Sequence, residues 1–181
     1  PKVKSQVVTF DYREGGYMAT KHLLDYGHRR IGCITGGGDM LSSIARTEGY
    51  RQALEEAGIA FDSELLFEGD FGLDSGIRAL PYLLGKNVTA IFAFNDMMAL
   101  GVYKAARSYN LNIPRDCSVV GFDDSFMNEI LEIPLTSVVH PATALGLESA
   151  KQILRLVRGE SEHKAIVFRP SLKVRGSTRR V

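Results

Sequence analysis

The chain has 181 residues, enough for one α/β domain or one lobe with part of another, and its 45% hydrophobic content suits a globular protein with a real core. With 22 basic against 21 acidic residues the net charge is +1, so charge alone marks no nucleic-acid interface. No apolar run is long enough to span a bilayer and no signal peptide stands at Pro1.

The chain opens on a strand-like segment, Gln6-Val7-Val8-Thr9-Phe10, with no initiator Met before it, and reads as a piece of a longer protein. Ala19, Leu23 and Tyr26 then share a helix face, with Gly27 placed to end it. Ile31 to Thr35 is a buried strand. Tyr50, Ala53, Leu54 and Ala57 form the next helical stripe, stopped by Gly58. Leu65-Leu66-Phe67 is a short strand, and Ile77, Leu80 and Leu84 a helix that Pro81 should kink or shorten. A strand over Ala90 to Phe94 precedes a helix bearing Ala99, Val102, Tyr103 and Ala106; Cys117 to Phe122 is another strand. Beyond Asp124 the rhythm changes. Ile133 to Pro141 is extended, Leu147, Ala150, Leu154 and Val157 stripe a helix ended by Gly159, and Ile166-Val167-Phe168 and Leu172 to Arg175 are short terminal strands. Alternation of this kind predicts an α/β fold: a Rossmann-like parallel sheet with helices on both faces.

In such a sheet ligands bind beyond the carboxyl ends of the strands. Two strands end in polar pairs there, Asn95-Asp96 and Asp123-Asp124, which suggests a binding crevice more than a catalytic cluster. Asn95 and Asp123 each compete with a plain role as helix N-caps. Arg46, near the start of the second helix, competes with a surface ion pair. Phe71, in the loop after Glu68-Gly69-Asp70, is core or a stacking platform, and His140 is structural or ligand-facing in equal measure. A carboxylate, a guanidinium and an amide with an aromatic face suit a sugar-like ligand, because they match vicinal hydroxyls and the apolar side of the ring.

Catalysis is disfavoured. Asp70, Asp123 and Asp124 could act as acid, base or metal ligands, but no His or Cys cluster has metal-ligand spacing and no nucleophile elbow occurs. Gly36-Gly37-Gly38 follows a strand, yet fits no phosphate-loop pattern and reads as a turn. Cys33 and Cys117, far apart in apolar strands, read as reduced thiols and point to the cytoplasm.

Several motifs together resemble the effector-binding core of the lactose-repressor/galactose-repressor family of bacterial transcription regulators. They include Gly15-Gly16-Tyr17-Met18-Ala19-Thr20, Gly27-His28-Arg29-Arg30-Ile31, Arg46-Thr47-Glu48-Gly49-Tyr50, Gly69-Asp70-Phe71, Asn95 to Gly101, Val119 to Asp124, Pro134 to Val138 and Val174 to Thr178. The resemblance implies a periplasmic-binding-protein-like fold of type I, one lobe plus crossover segments. Residues 1–11 would be the first crossover strand from an N-terminal lobe. Residues 12–139 would form the C-terminal lobe, 140–163 a crossover and a helix of the other lobe, and 164–181 return strands and tail. It places effector contacts on Arg46, Phe71, Asn95, Asp123 and His140, with no cofactor and no metal. It implies a sugar-like effector, a homodimer, and operator DNA bound through an N-terminal headpiece outside this chain. The rival within the same fold is the solute-binding protein of a sugar importer.

Overall fold

The computed structural model describes residues 7–160 and 165–181. The expected first strand is β1 (Val7–Phe10), and Gln6 lies outside the described residues. Then follow α1 (Tyr12–Asp25), β2 (Ile31–Thr35), α2 (Leu41–Glu56), β3 (Leu66–Glu68), α3 (Leu73–Leu84), β4 (Ala90–Ala93), α4 (Asp96–Ser108), β5 (Ser118–Asp123), β6 (Thr136–Val139), α5 (Ala142–Val157), β7 (Ala165–Phe168) and β8 (Ser171–Lys173). Gly27, Gly58 and Gly159 all take left-handed backbone angles just past the helices they were expected to end. Several expectations need correcting: Phe94 lies just beyond β4, Cys117 just before β5, and Val174 and Arg175 beyond β8. Leu65 belongs to a 3-10 turn (Ser63–Leu65) that delays β3 to Leu66, and α3 continues through Pro81 to Leu84, because the proline sits exposed in its last turn.

Among the described residues, six strands form the large sheet in the order β3-β2-β4-β5-β6-β8. All its neighbours run parallel except β8, which closes the edge antiparallel to β6. Helices α1 and α2 pack together, as do α3 and α4, and the right-handed rule for parallel crossovers puts these pairs on opposite faces. The strands are buried from both sides: β2 and β4 are apolar or small throughout and fully enclosed. Tyr50, Phe92, Phe94 and Phe122 are the largest fully buried side chains of this core.

Only β8 of the two return strands joins the large sheet. β7 pairs in parallel with β1, from Val7↔Ala165 to Phe10↔Phe168, in a separate two-stranded sheet. Helix α5 packs against β1. Its expected apolar stripe is exposed: Leu147 at 58%, Leu154 at 55% and Val157 at 80%, because a two-stranded sheet offers too little surface to cover it.

The C-terminal segment is tied into the body. Ser177 Oγ donates to Val119 O and accepts from Thr136 N, and Val181 N donates to Tyr26 O. His22 Nε2 lies 2.9 Å from Thr178 Oγ1 and is buried, which pushes its pKa down to about 4 against the nearby Asp25 charge. A histidine depressed in this way contributes stability that is complete above its unfolded value near 6.5 and is lost as pH falls toward 4. Burial raises Asp123 and Asp96, which give the opposite slope, so the difference from a His22→Gln variant isolates the effect. Between pH 6.5 and 5 the wild-type chain should lose about 1.5 kcal/mol relative to that variant, read from urea midpoints.

Candidate functional site

The strand tips carry the candidates in sheet order. Phe71 follows β3, Asn95 follows β4, Asp123 ends β5 and His140 follows β6, while Arg46 projects from the second turn of α2. The structure brings them together. Asn95 Nδ2 donates to Phe71 O at 2.9 Å, and the backbone N of His140 donates to Asp123 O at 3.3 Å. Arg46 sits among them, with its guanidinium carbon 3.9 Å from the Phe122 ring centre, 4.9 Å from Tyr12 and 5.7 Å from Phe71.

Arg46 is no surface residue: it is 5% exposed and enters no ion pair among the described residues. Its Nε is the buried side-chain polar atom left without a hydrogen-bond partner among the described residues. Buried donors are satisfied almost everywhere in proteins, so this one calls for a partner such as a ligand, an ion or a water. Burial pulls the Arg46 pKa down to about 10, opposed by the charge of Asp123; it stays a cation at neutral pH.

Asp123 answers the helix-cap alternative. Its side chain makes no hydrogen bond among the described residues, whereas Asn95 does cap α4, accepting from Met98 N at 2.9 Å. Asn95 therefore serves structure at both ends, and one amide hydrogen and one lone pair remain for a ligand. Asp123 is exposed at the end of β5, with its inner side turned to the protein. Burial on that side raises its carboxyl to about 6, opposed by Arg46 and reinforced by Asp96. Its backbone is strained at φ 108°, and Phe71 stands at φ 64°; non-glycine residues in this region concentrate where function requires them. Phe71 packs its ring directly on Gly36, where any Cβ would lie 2.0 Å from the ring, so the Gly36-Gly38 turn is a seat for an aromatic platform.

The other acidic candidates are committed elsewhere. Asp124 pairs with Arg175 Nη2 at 2.6 Å, and Asp70 accepts from Ser75 Oγ and from Gly72 N at 2.9 Å within its own loop. Asp96, 2% exposed, accepts from Ser125 N at 2.7 Å, Asn128 Nδ2 at 2.8 Å and Ser137 Oγ at 2.7 Å, anchoring the loop after Asp123. Sequence reasoning passed over Tyr12. Its ring stacks near-parallel on His140 (5.8 Å, 18°) and Phe122 (6.3 Å, 24°), beside Arg46. The usable signal was its place directly after the Asp11 cap, at the strand-to-helix junction of β1 and α1. Among the described residues, open grooves of about 840 and 890 Å³ run along α2 and α4; the first begins at the tips of β2 and β3, at Thr35, Gly36 and Glu68, and neither is lined by Arg46, Asn95 or Asp123. The polar groups left unspent, Arg46 and Asp123, lie at the strand tips.

A family profile described as "Periplasmic binding protein-like domain" matches residues 20–178. The HTH-type transcriptional regulator DegA of Bacillus subtilis (strain 168) is 41% identical over 180 residues, covering 98% of this chain and 53% of its own. The HTH-type transcriptional regulator CelR of Thermobifida fusca is 39% identical with the same coverage. This chain thus spans about half the length of the curated relatives it matches. A CelR–cellobiose complex superposes with a TM-score of 0.91 at 38% identity, over 98% of this chain and 55% of that one. A LacI family transcriptional regulator from Enterococcus faecium with bound ribose reaches 0.94 at 31% identity, over 100% of this chain and 68% of that one.

Proposed function

Because the chain belongs to the LacI/GalR family of transcriptional regulators, with its periplasmic-binding-protein-like fold, we propose that it is the effector-binding region of such a regulator and senses a small sugar or sugar-like ligand. The observation that carries this reading is the pairing of unspent groups at the strand tips. Among the described residues the buried Arg46 holds a free donor, Asp123 a free carboxylate, and Phe71 an aromatic face beside the guanidinium. Hydroxyls donate to the carboxylate and accept from the guanidinium, and the apolar face of a sugar ring covers Phe71. The cellobiose and ribose complexes of similar regulators support the ligand class. Those relatives carry the names of transcriptional regulators, which supports this reading over the solute-binding protein of a sugar importer.

In this reading the region works in the cytoplasm without catalysis. The effector shifts the population of two arrangements about the junctions Phe10–Tyr12 and Val139–Pro141, where the chain passes between its two sheets. The response reaches operator DNA through a headpiece outside residues 1–181, in a homodimer. Met97, Phe126 and Ile130, at 43%, 82% and 75% exposure around the start of α4, supply an apolar surface for a second copy. Among the described residues no helix is long and apolar enough to cross a membrane.

The test is a titration of cellobiose and ribose, to millimolar levels, into the chain by amide NMR. Shifts centred on Arg46, Asn95 and Asp123 are expected; shifts confined to either groove, or none, would overturn the reading. Affinity should also depend on pH. Asp123 titrates near 6, so binding is complete above that value and weakens as pH falls through it, while Arg46 stays charged throughout. A Kd constant from pH 7.5 to 5 would remove Asp123 from the site.

A further inference from the structure

Arg46 has a peculiar support. A buried guanidinium is ordinarily fixed by a carboxylate, but this one is fixed by ring faces, with its Nε unpartnered. Phe122, fully buried, forms the floor at 3.9 Å. Phe71, at 5.7 Å, stands near the outer limit for a cation above a ring, about 6 Å. Tyr12 at 4.9 Å is the remaining wall, and it is locked: His140 stacks on it at 18° and Phe122 at 24°. The Tyr12 hydroxyl lies 3.4 Å from His140 Nε2, too long to dominate, so the ring carries the contact.

Location adds a second argument. Tyr12 is the first residue of α1, directly after β1 leaves the small sheet; His140 lies between β6 of the large sheet and α5. The stacked pair joins two of the points at which the chain crosses between its sheets. We propose that Tyr12 is the positioning residue of the effector site, holding Arg46 toward the crevice with its ring and linking that pose, through His140, to the crossover segments. This rests on the effector-site reading above.

The experiment compares wild type, Tyr12→Phe and Tyr12→Leu in the 181-residue chain, by the Arg46 Nε–Hε resonance in side-chain NMR and by cellobiose titration. The buried Hε should give a sharp signal in wild type and Tyr12→Phe and broaden away in Tyr12→Leu. Cellobiose affinity should stay within about twofold in the Phe variant and fall about tenfold or more in the Leu variant, with core amide shifts unchanged. A Leu variant that keeps both signal and affinity overturns the proposal, as does a Phe variant that behaves like Leu. If cellobiose fails to bind wild type, the sugar reading loses its support, while the Arg46 signal still decides the role of Tyr12. Should Tyr12→Leu not fold, Tyr12→Met carries the same comparison.

Discussion

Replacing Arg46 with Met should raise the stability of the free chain and abolish sugar binding. The direction of the first effect follows from burial. Displacing the Arg46 pKa to about 10 corresponds to roughly 3 kcal/mol against the charged form. The rings around it return part of this, at about 0.5–2 kcal/mol for a desolvated cation over an aromatic face. Methionine fills a similar volume, packs well on Phe122 and Tyr12, and leaves no orphaned donor. A net gain of about 1–2 kcal/mol is expected, seen as a higher urea midpoint. The loss in binding is larger. Two charge-assisted hydrogen bonds of about 1.5–3 kcal/mol each disappear, weakening the ligand by about 100-fold or more. Arg46→Lys should fail to rescue it, because a single ammonium cannot present the planar fork. Stability traded against binding at one position would show that the strand-tip crevice is a ligand site. A destabilised Arg46→Met chain would instead make the residue a structural member of the core.

The sheet was legible because its information is local. Gly27, Gly58 and Gly159 end their helices where the apolar stripes end, and enclosed strands such as Ile31–Thr35 read as continuous apolar runs. The burial of Arg46, whose alternative from sequence was a surface ion pair, had an unused signal: it stands four residues before the fully buried Tyr50 and three after Ser43, on the inner face of α2. What lay beyond the sequence was pairing at a distance. A helical stripe shows that α5 has an apolar face, but its exposure depends on how small its partner sheet is. The pairing of β7 with β1 spans most of the chain, and no local pattern separates it from pairing with β6. Tyr12 was missed for the same reason, since its partners Arg46, Phe122 and His140 come from three other elements. Of the acidic pairs, Asp96 and Asp124 went to structure while Asp123 stayed free. The positions of Ser125, Asn128, Ser137 and Arg175 decide that division.

That division makes Asp96 the second large effect. Ser125 N and Asn128 Nδ2 both donate to its Oδ2, and Ser137 Oγ donates to Oδ1. Asp96→Ala strands these donors in a site that admits almost no water, and each costs about 1–3 kcal/mol, for a total of about 3–5 kcal/mol in the urea midpoint. Asp96→Asn should be far milder, near 1 kcal/mol. The asparagine carbonyl can take the Oδ2 place and keep both N–H donors, and its amide can face Ser137, whose hydroxyl is free to turn and accept. The contrast distinguishes a hydrogen-bond hub from a charge requirement, since the two variants lose the same charge. It also bears on the crevice. Asp96 holds the residues that follow the strained Asp123 backbone, and Ser137 Oγ accepts from Asp124 N at 3.2 Å. In Asp96→Asn the β5 tip should stay fixed and ligand shifts at Asp123 persist. In Asp96→Ala, below its melting range, the core amides should hold while residues 123–128 broaden and the sugar-induced shifts vanish. Equal destabilisation by both variants would place the contribution in the charge itself, against the raised pKa that burial gives this carboxylate.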